Sequence, residues 1–239
     1  MLIIRPIRAG DFESLYQIAE ESGHGFTSLP VNADLLRHKI ARAEASFAKV
    51  VDKPFDEGYL MVLEDTATRE VVGTCAIEAA VGMEDAFYHY RLGTEVYHSE
   101  QIEVRNEVET LTLCHDYTGA AELCTLFLRE PYRKGNNGRM LSRSRFLFLA
   151  QHAKRFGETV IAEMRGVSDA DGHSPFYGWL QKNFLGIDFI QADYLSGLGK
   201  KAFMAEMMPR NPVYVCLLPE EAQKVIGEVP VSYTHLRAH

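Results

Sequence analysis

The stretch of this sequence richest in chemistry is Glu122-Leu-Cys-Thr-Leu-Phe-Leu-Arg-Glu-Pro-Tyr-Arg-Lys-Gly-Asn-Asn-Gly-Arg-Met-Leu141. The apolar run from Ala121 to Leu128 predicts a buried, central strand, broken at Arg129-Glu-Pro131. A Gly/Asn-rich turn follows, and Gly138 opens a helix predicted to reach about Phe156. Such a turn presents successive backbone N–H groups at a helix N-terminus, where the dipole is positive. Gly135 and Gly138 remove Cβ atoms that would block close approach, Asn136 and Asn137 tolerate left-handed geometry, and Arg133 and Lys134 add two cations. In physical terms this is a cradle for a pyrophosphate. No Gly-Lys-Ser/Thr follows, which excludes a Walker loop, and Gly-x-Gly-x-x-Gly is absent, which excludes a dinucleotide fingerprint. Taken alone, the turn reads equally well as an ordinary strand–turn–helix connection with a solvated basic tip.

Other reactive residue types give weaker signals. Cys124 lies in the apolar strand with no adjacent His, which favours packing over nucleophilic use. His115 and His173 have no partner at metal-ligand spacing, so no metal is expected. The four cysteines, Cys75, Cys114, Cys124 and Cys216, include no Cys-x-x-Cys pair and read as free thiols of a reducing cytosol. The apolar start, Met1 to Ile4, is cut by Arg5 and is too short for a signal peptide, and no stretch approaches the ~20 apolar residues of a membrane span. A cytoplasmic protein without membrane contact is therefore expected. With 25 Lys and Arg against 33 Asp and Glu, the net charge is −8, which argues against a broad grip on nucleic acid.

The elements that must position the turn follow from periodicity. Leu2 to Arg8 predicts a strand, and Asp11 reads as the N-cap of a helix through Phe12, Leu15, Tyr16 and Ala19 that stops at Gly23. A loop, His24 to Pro30, leads to a second helix capped by Asn32 with Leu36, Ile40, Ala43 and Phe47 on one face. Gly58 to Glu64 and Val71 to Ala80 flank a polar turn and predict a hairpin. Further strands are expected over Phe87 to Val96, near Ile102, over Thr110 to Leu113 and over Thr159 to Met164. Pro175 to Phe184 predicts a helix, Ala202 to Met207 and Val213 to Leu217 strands, and Pro219 a short helix ending near Ile226.

This order resembles the GNAT acyltransferase fold, an α+β arrangement with a mixed, mostly antiparallel sheet flanked by helices. There the pattern Arg/Gln-x-x-Gly-x-Gly/Ala binds the pyrophosphate of coenzyme A. Arg133, Asn137 and Gly138 fit that frame, with Asn136 where the first Gly usually stands. The segments Ile4-Arg-Pro, Gly25-Phe-Thr-Ser-Leu-Pro30, Glu122 to Leu128, Ala162-Glu-Met-Arg-Gly166, Ser174-Pro-Phe176 and Ala202 to Pro209 together resemble the arginine N-succinyltransferase family. The resemblance covers Met1 to about Val229. It implies transfer of a succinyl group from succinyl-CoA, as co-substrate, to the α-amino group of L-arginine, with ornithine as a second acceptor in some relatives.

It also implies site residues. Leu126 matches a family contact to succinyl-CoA, with Phe127 and Leu128 beside it on the strand and residues 133–138 as the diphosphate cradle. His24, Thr27 and Ser28 fall in the loop that closes over the acceptor in GNAT folds, and a helix-capping role is the competing reading. An arginine pocket needs a carboxylate. Glu163 is the first candidate, as a charge in an apolar strand, with pairing to Arg165 as the alternative and Asp116 a weaker choice.

The family places a proton-donor His after the Gly-x-Val matching Gly227 to Val229, where this chain has Pro230, so no catalytic acid is assigned. The expected organisation is a GNAT-like domain over 1–200, the start of a second such unit over 201–229, and a foreign or disordered tail over 230–239. Weak or no turnover is expected from this. A homodimer or pairing with a related subunit would suit such a chain. Another N-acyltransferase using acetyl-CoA, or a coenzyme-A-binding module without turnover, are the alternatives.

Overall fold

The computed structural model describes residues 1–23, 26–169, 173–200 and 202–230. His24, Gly25 and the segment 231–239 lie outside them. The chain forms two compact units, each made of two segments: Met1–Phe87 with Tyr117–Glu163, and Tyr88–Asp116 with Met164–His239.

The first unit is a five-stranded sheet in the order β1-β2-β3-β6-β7, with β1 Leu2–Pro6, β2 Gly58–Asp65, β3 Glu70–Glu78, β6 Ala121–Leu128 and β7 Val160–Ile161. All pairs are antiparallel except β6 with β7. Alternation along the hairpin sorts its side chains to two faces. Leu60, Val62, Val71 and Ala76 meet Leu15 and Ile18 of α1 (Phe12–Ser22) and Leu36 and Ile40 of α2 (Ala33–Ala48). Tyr59, Met61, Leu63, Val72, Cys75 and Ile77 face the other way, against Leu141 of α3 (Asn137–Gln151). Both faces are covered, which is why these strands read as continuous apolar runs. The Phe148 ring of α3 lies 5.2 Å from that of Tyr59 and 5.8 Å from that of Phe156, so aromatic packing fixes α3 on the sheet.

Local caps behave as the residue types dictate. Asn32 accepts a hydrogen bond from the Leu35 amide at 3.0 Å, and Gly23 ends α1 at φ +70°. Asp11 differs from expectation. It precedes α1 but does not cap it, because stronger partners claim it: its carboxylate takes the Arg8 amide at 2.8 Å and both Arg5 guanidinium nitrogens at 2.7 and 2.8 Å. Arg5 also donates to Glu64 at 2.5 Å, which ties β1, β2 and the start of α1 together.

The second unit carries the hairpin β4 (His89–Ser99) and β5 (Val104–Cys114), with β8 (Val213–Tyr214) on β5. Ile102 lies in the hairpin turn, not in a strand. Its helices are α4 (Pro175–Leu180), α5 (Phe189–Gly197), α6 (Ala202–Met207) and α7 (Glu220–Gln223). Leu111, Val215, Leu218 and Ala222 form its core with Tyr90, Phe176 and Trp179. Two further expectations are corrected here. Ala202–Met207 is a helix, in keeping with the high helix propensity of Ala, Met and Glu. The strand expected over Val213 to Leu217 stops at Tyr214 and turns into a 3₁₀ segment. Helix α5, unforeseen, has its start signal in Asp188, which accepts from the Gln191 amide at 2.7 Å.

Candidate functional site

The turn and the strand before it form one continuous feature of the first unit. On β6 the register against β3 slips: Thr74 faces Phe127 and Ala76 faces Cys124, so Thr125 and Leu126 together oppose Cys75. This is a β-bulge, and Thr125 occupies its left-handed position at φ +53°, a conformation Thr rarely adopts. The bulge turns the Leu126 side chain outward, 41% exposed, although the sequence predicts a strand buried throughout. Strand β7 pairs with β6 only at Ala121 and Glu122. Among the described residues, that edge of β6 has no neighbouring strand from Leu123 to Leu128, because β7 ends at Ile161 rather than running to Met164.

At the end of β6, the Arg133 Nε donates to the Leu128 carbonyl at 2.7 Å, and its guanidinium lies 5.5 Å from the centre of the Phe127 ring. Gly135 is left-handed at φ +55°. Asn136 is not, with φ −102°, and Asn137 starts the helix while its side chain donates to the Tyr132 carbonyl at 3.0 Å. The one left-handed position thus falls on Gly135, where no Cβ opposes it, and the Asn137 side chain ties the loop back to Tyr132. Lys134 is exposed, its ammonium 5.9 Å from the Tyr132 ring centre. Among the described residues, the amides of Gly135, Asn136, Gly138 and Arg139 have no main-chain acceptor. A Cβ on Gly138 would meet nothing nearer than Leu128 Cδ2 at 3.9 Å, so protein packing does not demand glycine there. An anion-sized group therefore fits this helix start.

A small hollow, open to solvent, lies beside the bulge in the same unit. Ser28, Lys39, Arg42, Glu78 and Thr125 contribute to its wall. Arg42 donates to Glu78 at 2.6 Å, contacts Asp56 at 3.1 Å and donates to the Asp56 carbonyl at 2.8 Å. Burial alone would lower the Arg42 pKa, but Glu78 and Asp56 outweigh it and hold it above its ordinary value. Sequence reading missed Lys39, Arg42 and Glu78, which come from elements far apart in the chain and carry no motif. It also missed Arg145, a buried guanidinium of α3 that reaches the Cys124 carbonyl at 3.4 Å and supports the strand next to the bulge. Burial pushes the Cys124 thiol well above the ordinary range, with Glu78 and Glu122 adding to it, so it is no thiolate nucleophile.

The proposed acceptor residues do not all gather here. Ser28 lines the hollow and Thr27 is exposed, while His24 lies outside the described residues. Glu163 is exposed and lies past the end of β7, so the premise of a charge in a buried strand fails. Arg165 belongs to the other unit, its guanidinium 5.6 Å from the Phe189 ring centre, and Asp116 pairs with Arg91 at 3.1 Å. His173 faces Asp169 at 3.1 Å. His89, Cys114 and Asp116 bring donor atoms within 4.8 Å of one another, but Arg91 already neutralises the carboxylate of that trio. Among the described residues no helix is long and apolar enough to cross a membrane.

A mostly antiparallel sheet between helices, with a bulged strand that parts from its parallel neighbour above a helix-start cradle, is the GNAT-like fold of N-acyltransferases. The sequence profile described as arginine N-succinyltransferase beta subunit matches residues 2–238. The chain belongs to that family and is an acyltransferase. The arginine N-succinyltransferases of Salmonella schwarzengrund and Salmonella agona are each 50% identical to it over 238 residues, 100% of this chain and 69% of theirs. The solved structure of the arginine/ornithine succinyltransferase subunit AI from Pseudomonas aeruginosa superposes with a TM-score of 0.88 at 38% identity, covering 99% of this chain and 69% of that one. The matched span takes in residues 230–238, for which the sequence alone suggested no counterpart.

Proposed function

We propose that the chain transfers a succinyl group from succinyl-CoA to the α-amino group of L-arginine, by direct attack in a ternary complex. The observation that carries the coenzyme part is the set of amides at Gly135, Asn136, Gly138 and Arg139 that lack a main-chain acceptor among the described residues, at the foot of a strand edge that none of the described strands pairs with. The diphosphate takes those amides and the charge of Arg133 and Lys134. The pantetheine arm lies along β6 past Leu128 and Phe127, with the thioester near Leu126. The deprotonated amine adds to the thioester carbonyl, the oxyanion is met by main-chain N–H groups of the strand, and the C–S bond breaks as the proton shed by the amine nitrogen passes to the leaving thiolate. Acyl choice and acceptor choice rest on the family, since a diphosphate cradle is blind to both.

Pro230 stands where the family resemblance puts a proton donor, and proline has nothing to donate. A missing general acid costs ~10²–10⁴-fold in rate. Slow turnover over intact coenzyme binding is the expected behaviour of this chain. Calorimetry with succinyl-CoA, acetyl-CoA and free coenzyme A, followed by thiol release with L-arginine, tests the reading. Binding of all three with release only for succinyl-CoA supports it. No binding by the folded protein refutes it.

A further inference from the structure

The hollow beside Thr125 contains two cations in different states. Arg42 is held by two carboxylates and a carbonyl. Lys39, one turn earlier on α2, makes no ion pair among the described residues. We infer that Lys39 is the acyl-group selector: its ammonium receives the free carboxylate of the succinyl group, in the hollow walled by Thr125 and Ser28. This rests on the coenzyme reading above. With the thioester near Leu126, the acyl chain leaves the strand at the bulge, and the adjacent residue Thr125 lines this hollow. A carboxylate entering it needs a cation that is not already neutralised, and Lys39 meets that need where Arg42 does not. Glu78 is paired with Arg42 at 2.6 Å, which lowers its repulsion of an incoming anion.

Butyryl-CoA is the control, because its acyl chain has nearly the length of succinyl without the carboxylate. The protein is compared with Lys39→Met and Lys39→Arg by calorimetry against succinyl-CoA, butyryl-CoA and free coenzyme A, with thermal melting to show that each variant folds. The expected result is about 10–100-fold weaker succinyl-CoA binding for Lys39→Met, the scale of a lost hydrogen bond to a charged group, with butyryl-CoA and coenzyme A unchanged and Lys39→Arg close to the parent. Equal weakening of succinyl-CoA and butyryl-CoA would overturn the assignment. So would a variant that keeps its acyl preference but needs more arginine, since Lys39 would then serve the acceptor. If the parent binds none of the three, the coenzyme reading itself falls, a different outcome from either.

Discussion

Gly138→Ala separates ligand recognition from folding at a single hydrogen-for-methyl exchange. The new Cβ would lie 3.9 Å from Leu128 Cδ2, an ordinary contact, and nothing else comes within 4 Å. Position 138 is in the first turn of α3, and alanine is favoured over glycine in helices by up to ~1 kcal/mol. For a chain of this size that raises Tm by about 0–4 °C. The same methyl is added at the helix start proposed above to hold the diphosphate. Displacing one charge-assisted hydrogen bond costs ~1.5–3 kcal/mol, or about 10–100-fold in Kd. Calorimetry with free coenzyme A reads the loss without any turnover, and differential scanning calorimetry reads stability on the same sample. Unchanged affinity would show that the ligand does not use this helix start. A clear fall in Tm would show that Gly138 serves packing instead, and the argument from the open Cβ position would be wrong.

Arg133→Ala, which removes the tie to the Leu128 carbonyl and the stacking on Phe127, should weaken coenzyme A binding by ~10-fold, and unchanged calorimetric affinity would remove Arg133 from the cradle. Cys124→Ala should keep the rate per folded molecule within about 2-fold in a thiol-release assay, since a thiol this far above its ordinary pKa does not attack; abolished transfer with intact binding would revive a covalent route. Acid stability should depend on Asp11. Burial opposes its charge, but Arg5 and the Arg8 amide outweigh burial and hold its pKa below the ordinary 3.8. A depressed carboxylate stabilises the fold above its unfolded pKa, and the contribution disappears as pH falls through the lower folded value. Tm should therefore drop below about pH 4, and Asp11→Asn should flatten that drop while lowering Tm at neutral pH. Identical acid profiles for parent and variant would show the network to be inert.

The first unit was legible because its cues are local. Asn32 caps as its type predicts, the Tyr59–Leu63 run alternates between two covered faces, and Gly135 and Gly138 mark the turn. What sequence reading missed depends on the third dimension. Nothing about Thr125 announces a left-handed bulge, because Thr is a poor residue for one and only the surrounding sheet enforces it. The length of β7 is set by how long β6 stays beside it, so an apolar, β-branched run from Thr159 overstated the strand and placed Glu163 in a core it does not enter. Lys39, Arg42 and Glu78 converge from α2 and β3. Ala202–Met207 shows a strong intrinsic helix preference masked by apolar composition.

The hairpin β4–β5 interrupts the first unit between two strands that must pair, β3 and β6. Its closure changes the search problem during folding. Once His89 and Cys114 are in register, the free chain from Glu78 to Ala121 shortens from about 40 residues to about 16, which reduces the entropic cost of joining β3 to β6 by about 0.8 kcal/mol. An excursion that looks like an insertion thus acts as a tether shortener for the sheet it interrupts.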